Sequence, residues 1–150
     1  MTKHTRIAFT LALLLAVGGG APGALAQETY AVVSSTGNAN RAKVTPKLLR
    51  MLYLKELREW PDGTLARPIA RPEDSEAHRL FRDQVLRMDE MRLARHWIGL
   101  KQRTGQRSLS PVAQDRTLIG LLKRYPGAFA VLPVAVAESD PELEILLKLH

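Results

Sequence analysis

The 150-residue chain contains no cysteine, so neither a disulfide nor a lipid anchor on a lipoprotein cysteine is available to it, and its stability must come from packing. Aromatic residues are scarce: two Trp, three Tyr and three Phe. No stretch is both apolar and long enough for a membrane span, since the one extended apolar run, residues 7–17, falls well short of the ~20 residues a helix needs to cross a bilayer. Signatures of catalysis are missing too. There is no Gly-x-Ser-x-Gly elbow, no thiol nucleophile, and no His-x-x-x-His or Glu-x-x-His pairing for a metal, so the chain reads as a non-enzyme without metal or cofactor. No internal repeat or low-complexity tract interrupts it.

What is present begins with a targeting pattern. Lys3 and Arg6 precede the apolar run, a Gly/Pro break follows, and Ala24-Leu25-Ala26 supplies the small-x-small site of a signal peptidase. The expectation is a signal peptide over 1–26, cleavage after Ala26, a periplasmic or secreted location, and one domain over 27–150. Without Lys3 and Arg6 the 22 basic residues fall to 20 against 15 acidic ones. That mild basic bias in an exported protein points to anionic small molecules, an anionic membrane surface or acidic partners rather than nucleic acid, and it is also a common surface property.

Periodicity organises the rest. Residues 29–35 form a short β-branched strand pattern that ends in the turn-like "STGNAN". Thr45-Pro46 opens a helix whose apolar residues run toward Trp60, and Pro61-Asp62-Gly63 stops it. Two prolines restrict "TLARPIARP" to an edge strand or an extended crossing segment. A helix opening at Asp74 and Ser75 carries Ala77, Leu80, Phe81, Gln84, Val85 and Met88 at i, i+3, i+4 spacing. A second starts near Asp89 and ends before Gly105, and a third is capped by Asp115 and ended by Pro126-Gly127. "AFAVLPVAV" reads as a central strand, whereas the tail is a strand or a helix that periodicity does not settle. Alternating strands and helices give an α/β layer architecture.

The order of these signals resembles the phosphate-type substrate-binding proteins of ABC transporters, especially short, single-lobe members. The resemblance rests on Trp60-Pro61-Asp62-Gly63, Arg71 through Ser75, Trp97, Thr104-Gly105 and Pro126-Gly127-Ala128-Phe129, and it spans residues 31–133. It implies a single lobe of the type II periplasmic-binding-protein fold, a mixed sheet flanked by helices. It also implies binding of phosphate or a similar oxyanion for ABC-type uptake, with an ABC permease or other protein as partner. The family's Arg-x-Asp-Gly-Ser-Gly-Thr stretch falls on residues 71–77, where Arg71 and Ser75 match and the glycines and threonine do not. Glu73, Asp74 and Glu76 instead crowd the helix start with negative charge, which suits a bare N-terminus and repels a phosphate dianion.

The candidate ligand residues are therefore Arg71, Asp74 and Ser75, with Asn40 after the first strand and Thr104 in the Thr-Gly loop. Three of them have a plainer alternative: Asp74 or Ser75 caps a helix, and Asn40 serves a turn. Trp60 and Trp97 read as packing residues, and His78 as a surface helix contact. Arg92, Arg95, Lys101, Arg103 and Arg107 form a solvated face or a docking patch for an acidic partner or anionic lipid. A lobe that has lost its small ligand and serves as an interaction or sensing module is the alternative function, and a homodimer would restore a cleft to a single lobe.

Overall fold

The computed structural model describes residues 27–37 and 44–150, so the signal-peptide expectation and Asn40 lie outside the described residues. Four strands make one mixed sheet: β1 (Tyr30–Ser35), β2 (Arg67–Pro68), β3 (Ala128–Pro133) and β4 (Leu143–Leu149), in the order β2-β3-β1-β4. β1 runs antiparallel to both neighbours, with Val32 opposite Val131 on one side and Leu147 on the other, and β2 lies parallel to β3. The protein is thus α/β, with helices on both faces of the sheet.

Alternation along the two central strands divides the interior into two cores. Tyr30, Val32, Phe129 and Val131 face α1 (Pro46–Tyr53), α2 (Glu76–Phe81) and α3 (Glu90–Thr104), packing with Leu49, Leu52, Phe81 and Leu93. Ala31, Val33, Ala130 and Leu132 face α4 (Asp115–Arg124) and α5 (Val134–Glu138), against Leu118, Leu122 and Ala137. Both faces of β1 and β3 are covered, which is why these strands read as continuous apolar runs. Each fully buried Leu or Phe contributes about 1.5–3 kcal/mol of transfer free energy.

Local chemistry sets the ends of the elements. Thr45 accepts from Leu48 N–H at 3.1 Å with Pro46 in the first turn, as the sequence suggests, but α1 stops at Tyr53 rather than near Trp60. The turn at Pro61-Asp62-Gly63 forms, with Asp62 Oδ1 accepting from Thr64 N–H at 2.8 Å and Gly63 at φ +84°. After α2 the chain widens into a π-helical turn, Arg82–Leu86, ended by Arg87 in the left-handed region. The expected single helix through Met88 is therefore split, and the split redirects the chain before Asp89 caps α3. "AFAVLPVAV" is also divided: the strand ends at Pro133, and Val134 starts α5. The tail is strand β4, irregular beside Val32/Val33, where a bulge bends this sheet edge.

One glycine joins the layers. Gly127 sits at φ +75°, and a Cβ there would stand 2.2 Å from the Leu65 carbonyl oxygen. Its own carbonyl accepts from the Trp60 indole at 2.9 Å and from Arg67 N–H at 3.0 Å, tying the Trp60 turn and β2 to the start of β3. Gly127→Ala adds both left-handed strain and a backbone clash, so it is expected to lower unfolding free energy by about 2–5 kcal/mol. Denaturant unfolding checks this, and a variant as stable as the parent contradicts it.

Candidate functional site

A cavity of about 490 Å³ opens beneath α3, walled by the end of α1, the Ala70–Glu73 segment, α2 and the Ser108–Pro111 segment. Its size lies within the ~300–1,000 Å³ common for small-ligand sites. Tyr53, Trp97, Met91, Leu93 and Leu109 supply apolar and aromatic surface, and Arg71, Glu73, His78, Glu90 and Ser108 supply polar groups.

The aromatic wall is a chain of tilted rings. Tyr53 meets Phe81 at 4.9 Å between centroids and Trp97 at 6.2 Å, and Trp97 meets the His96 ring edge-on at 5.1 Å. His96 Nε2 lies 2.8 Å from the Leu54 carbonyl, which can only accept, so that nitrogen carries the proton. This bond fixes α3 against the end of α1.

Arg71 is the cation that sequence analysis singles out, and it is engaged within the protein. Its Nη1 donates to the carbonyls of Ala113 at 3.0 Å and Val112 at 3.4 Å, and its Nη2 stands 2.9 Å from Asp115 Oδ1. The last is a charge contact rather than an aligned hydrogen bond, and Arg71 Nε is buried without a partner. Asp115 does not cap α4: Gln114 occupies that position, and the Asp115 carboxylate in the first turn turns to Arg71. The guanidinium thereby latches the Ala70–Glu73 segment to the start of α4.

The opening of α2 is likewise occupied from within. Ser75 Oγ donates to the Pro72 carbonyl at 2.6 Å and accepts from His78 N–H at 3.2 Å, so the hydroxyl serves as an N-cap and a turn clasp at once. α2 has only six residues, and Glu76 at its start pairs with Arg79, Arg79 Nε donating to Oε2 at 2.9 Å. Asp74 is exposed and, like Ser75, lies off the cavity wall. Thr104 is at the opposite end of α3, its Oγ1 donating to the Leu100 carbonyl at 2.8 Å. Of the predicted site residues among those described, the cavity contains Arg71 alone.

Sequence reading missed His78 and Glu90. His78 is only 5% exposed rather than on the surface, because Ala77, His78 and Phe81 together form the buried side of α2. Its Nε2 stands 3.2 Å from Glu90 Oε1 but without hydrogen-bond alignment, leaving a buried ring nitrogen unsatisfied. Glu90 follows the Asp89 cap of α3 and is held by Arg82 Nη1 at 2.5 Å. Lone His and Glu residues in separate helices carry no spacing signal, so only the fold brings them together.

A second, shallower groove of about 370 Å³ follows the end of α1 and the Leu65–Pro68 segment, and Lys55, Arg58 and Arg67 line it without any carboxylate. Neither Arg58 nor Arg67 forms an ion pair among the described residues; the Arg67 guanidinium lies 5.1 Å from the centroid of the Tyr125 ring. Lys55 adopts φ +59°, a conformation that costs a non-glycine residue of the order of 1–2 kcal/mol. Its Nζ donates to the Arg107 carbonyl at 2.9 Å and stands 5.9 Å from the Trp97 ring centroid.

Among the described residues no helix is long and apolar enough to cross a membrane. Comparison with known proteins adds no relative: no family model matches the chain, and no curated protein does.

Burial raises the Tyr53 phenol well above its ordinary value, and the nearby charges of Glu90 and Glu73 push it further the same way. Tyr30 is pushed up to about 12 by burial and by its 2.7 Å hydrogen bond to Glu28. A phenol held neutral in the folded state lends stability that is complete below the ordinary value of 10.0, where both states are protonated, and that is lost as pH rises toward the folded value. Alkaline NMR titration of the tyrosine Cζ signals is expected to show Tyr30 and Tyr53 still protonated at pH 10.5, while unfolding free energy already falls. A Tyr53 midpoint near 10 contradicts the burial of its hydroxyl.

Proposed function

We propose that the protein is an exported solute-binding module of the periplasmic-binding-protein kind, working in ABC-type uptake, and that its ligand enters the cavity beneath α3. The observation carrying this reading is the cavity itself: aromatic and aliphatic walls meet a few convergent polar groups, one of them a buried and unsatisfied imidazole. The targeting pattern at the N-terminus and the order of motifs support export and uptake. On this reading the site binds its ligand without transforming it.

The two tryptophans offer an internal control. Trp97 borders the cavity, whereas the Trp60 indole is buried and bonded to Gly127. Titration with inorganic phosphate, glycine, glucose and a primary amine, followed through the indole N–H resonances, is expected to move Trp97 saturably with at least one of them while Trp60 stays in place. Movement of both together, or of neither, contradicts a solute site in the cavity.

A second reading keeps phosphate or a similar oxyanion as the ligand, and the basic groove favours it. An oxyanion at the α2 opening would compete with Asp115 for Arg71 and face Glu73, whereas Lys55, Arg58 and Arg67 converge with no opposing carboxylate. On this reading phosphate binding at low salt weakens at least tenfold in the Arg58→Ala/Arg67→Ala double variant and is unchanged in Arg71→Ala. Loss of binding on Arg71→Ala alone returns the anion to the α2 opening.

A further inference from the structure

We propose that the cavity beneath α3 is selective for a small organic cation, an ammonium group carried on a flat or aliphatic body, an inference that rests on the reading of this cavity as the solute site.

The charges along its wall decide the sign. Arg71 lines the cavity, but Asp115 offsets its charge and its Nη1 is spent on the backbone carbonyls of Val112 and Ala113. Glu90 is partly offset by Arg82. Glu73 has no ion-pair partner among the described residues, and it leaves an uncompensated negative charge at the wall. Glu73 and Glu90 line the same cavity as Tyr53, and both push the phenol in the direction that burial already raises it. An oxyanion entering here meets repulsion, and an ammonium is attracted.

Two further features fit a cation rather than a merely polar molecule. His78 Nε2 is buried, unsatisfied and 3.2 Å from Glu90 Oε1, a separation that lacks the alignment for a direct bond. An ammonium presents several N–H donors, enough to satisfy the carboxylate and, with Nε2 unprotonated, the imidazole nitrogen beside it. Tyr53 and Trp97, tilted at 58° to one another, both line the cavity, and aromatic rings at such a wall suit a cation with an apolar body. Lys55 Nζ lies 5.9 Å from the Trp97 ring centroid, at the outer limit of cation–π range, while it donates to the Arg107 carbonyl.

The test compares three probes of one shape and different charge: benzylamine, benzyl alcohol and benzoate, each titrated into the purified protein and followed at the Trp97 indole. Benzylamine is expected to shift Trp97 and to bind at least tenfold more tightly than the other two. Glu73→Gln is expected to weaken benzylamine about tenfold and leave benzyl alcohol unchanged. Glu73 is exposed, so the unfolding midpoint of that variant should match the parent. Benzyl alcohol or benzoate binding as tightly as benzylamine overturns the cation preference and leaves the solute reading intact. Failure of all three to move Trp97 overturns both, and the charge ranking in the parent protein decides the matter even where the variant is altered.

Discussion

The candidate site depends on the latch between Arg71 and the start of α4. The guanidinium leaves the Ala70–Glu73 segment and grips Asp115 together with the carbonyls of Val112 and Ala113, so the segment between β2 and α2 is bound to the turn that leads into α4. Ala70 and Val112 reinforce it through a backbone bond of 2.9 Å. These contacts fix two walls of the cavity. They also withdraw the cation that a phosphate site at the α2 opening needs, since a buried charge that is already paired costs several kcal/mol to free. One contact therefore joins two walls of the cavity and pairs the cation that lines it.

The remaining walls follow from how helices are attached to the sheet. The Gly127 carbonyl fastens the Trp60 turn and β2 to β3, and Trp60 packs edge-on against Phe129 at 5.4 Å. Above that platform the π-helical turn ends α2 early and lets Asp89 start α3 in a new direction, bringing Glu90 over His78. The bond from His96 to the Leu54 carbonyl then draws α3 toward α1 and sets Trp97 beside Tyr53. A rigid sheet, a short capped helix and a redirected one thus place groups distant in sequence around one hollow.

Much of the scaffold was legible in the sequence because its signals are local. Thr45 and Asp89 cap their helices through their own side chains, the Pro61-Asp62-Gly63 turn forms, and β1 shows its burial in its composition. Where the reading fell short, long-range contacts prevailed. Asp115 is placed like a helix cap but spends its charge on Arg71, a choice that nothing within four residues reveals. Ser75, by contrast, caps α2 through bonds to Pro72 and His78, each three residues away, as the capping reading of the sequence expects. The apolar run through residue 136 hides a strand-to-helix break, because the residues stay apolar past the end of the buried strand although only Val134 and Ala137 of α5 are buried. The cavity itself has no sequence signature, since its polar residues come from four separate segments.

The account stands on Arg71 being part of the wall rather than a waiting ligand cation, and a double-mutant cycle measures that directly. Unfolding free energies of the parent, Arg71→Ala, Asp115→Ala and the double variant are predicted to yield a coupling of about 1–3 kcal/mol, with Arg71→Ala destabilising in the absence of any ligand. A coupling near zero, with Arg71→Ala as stable as the parent, would contradict the account and make Arg71 free to hold an anion.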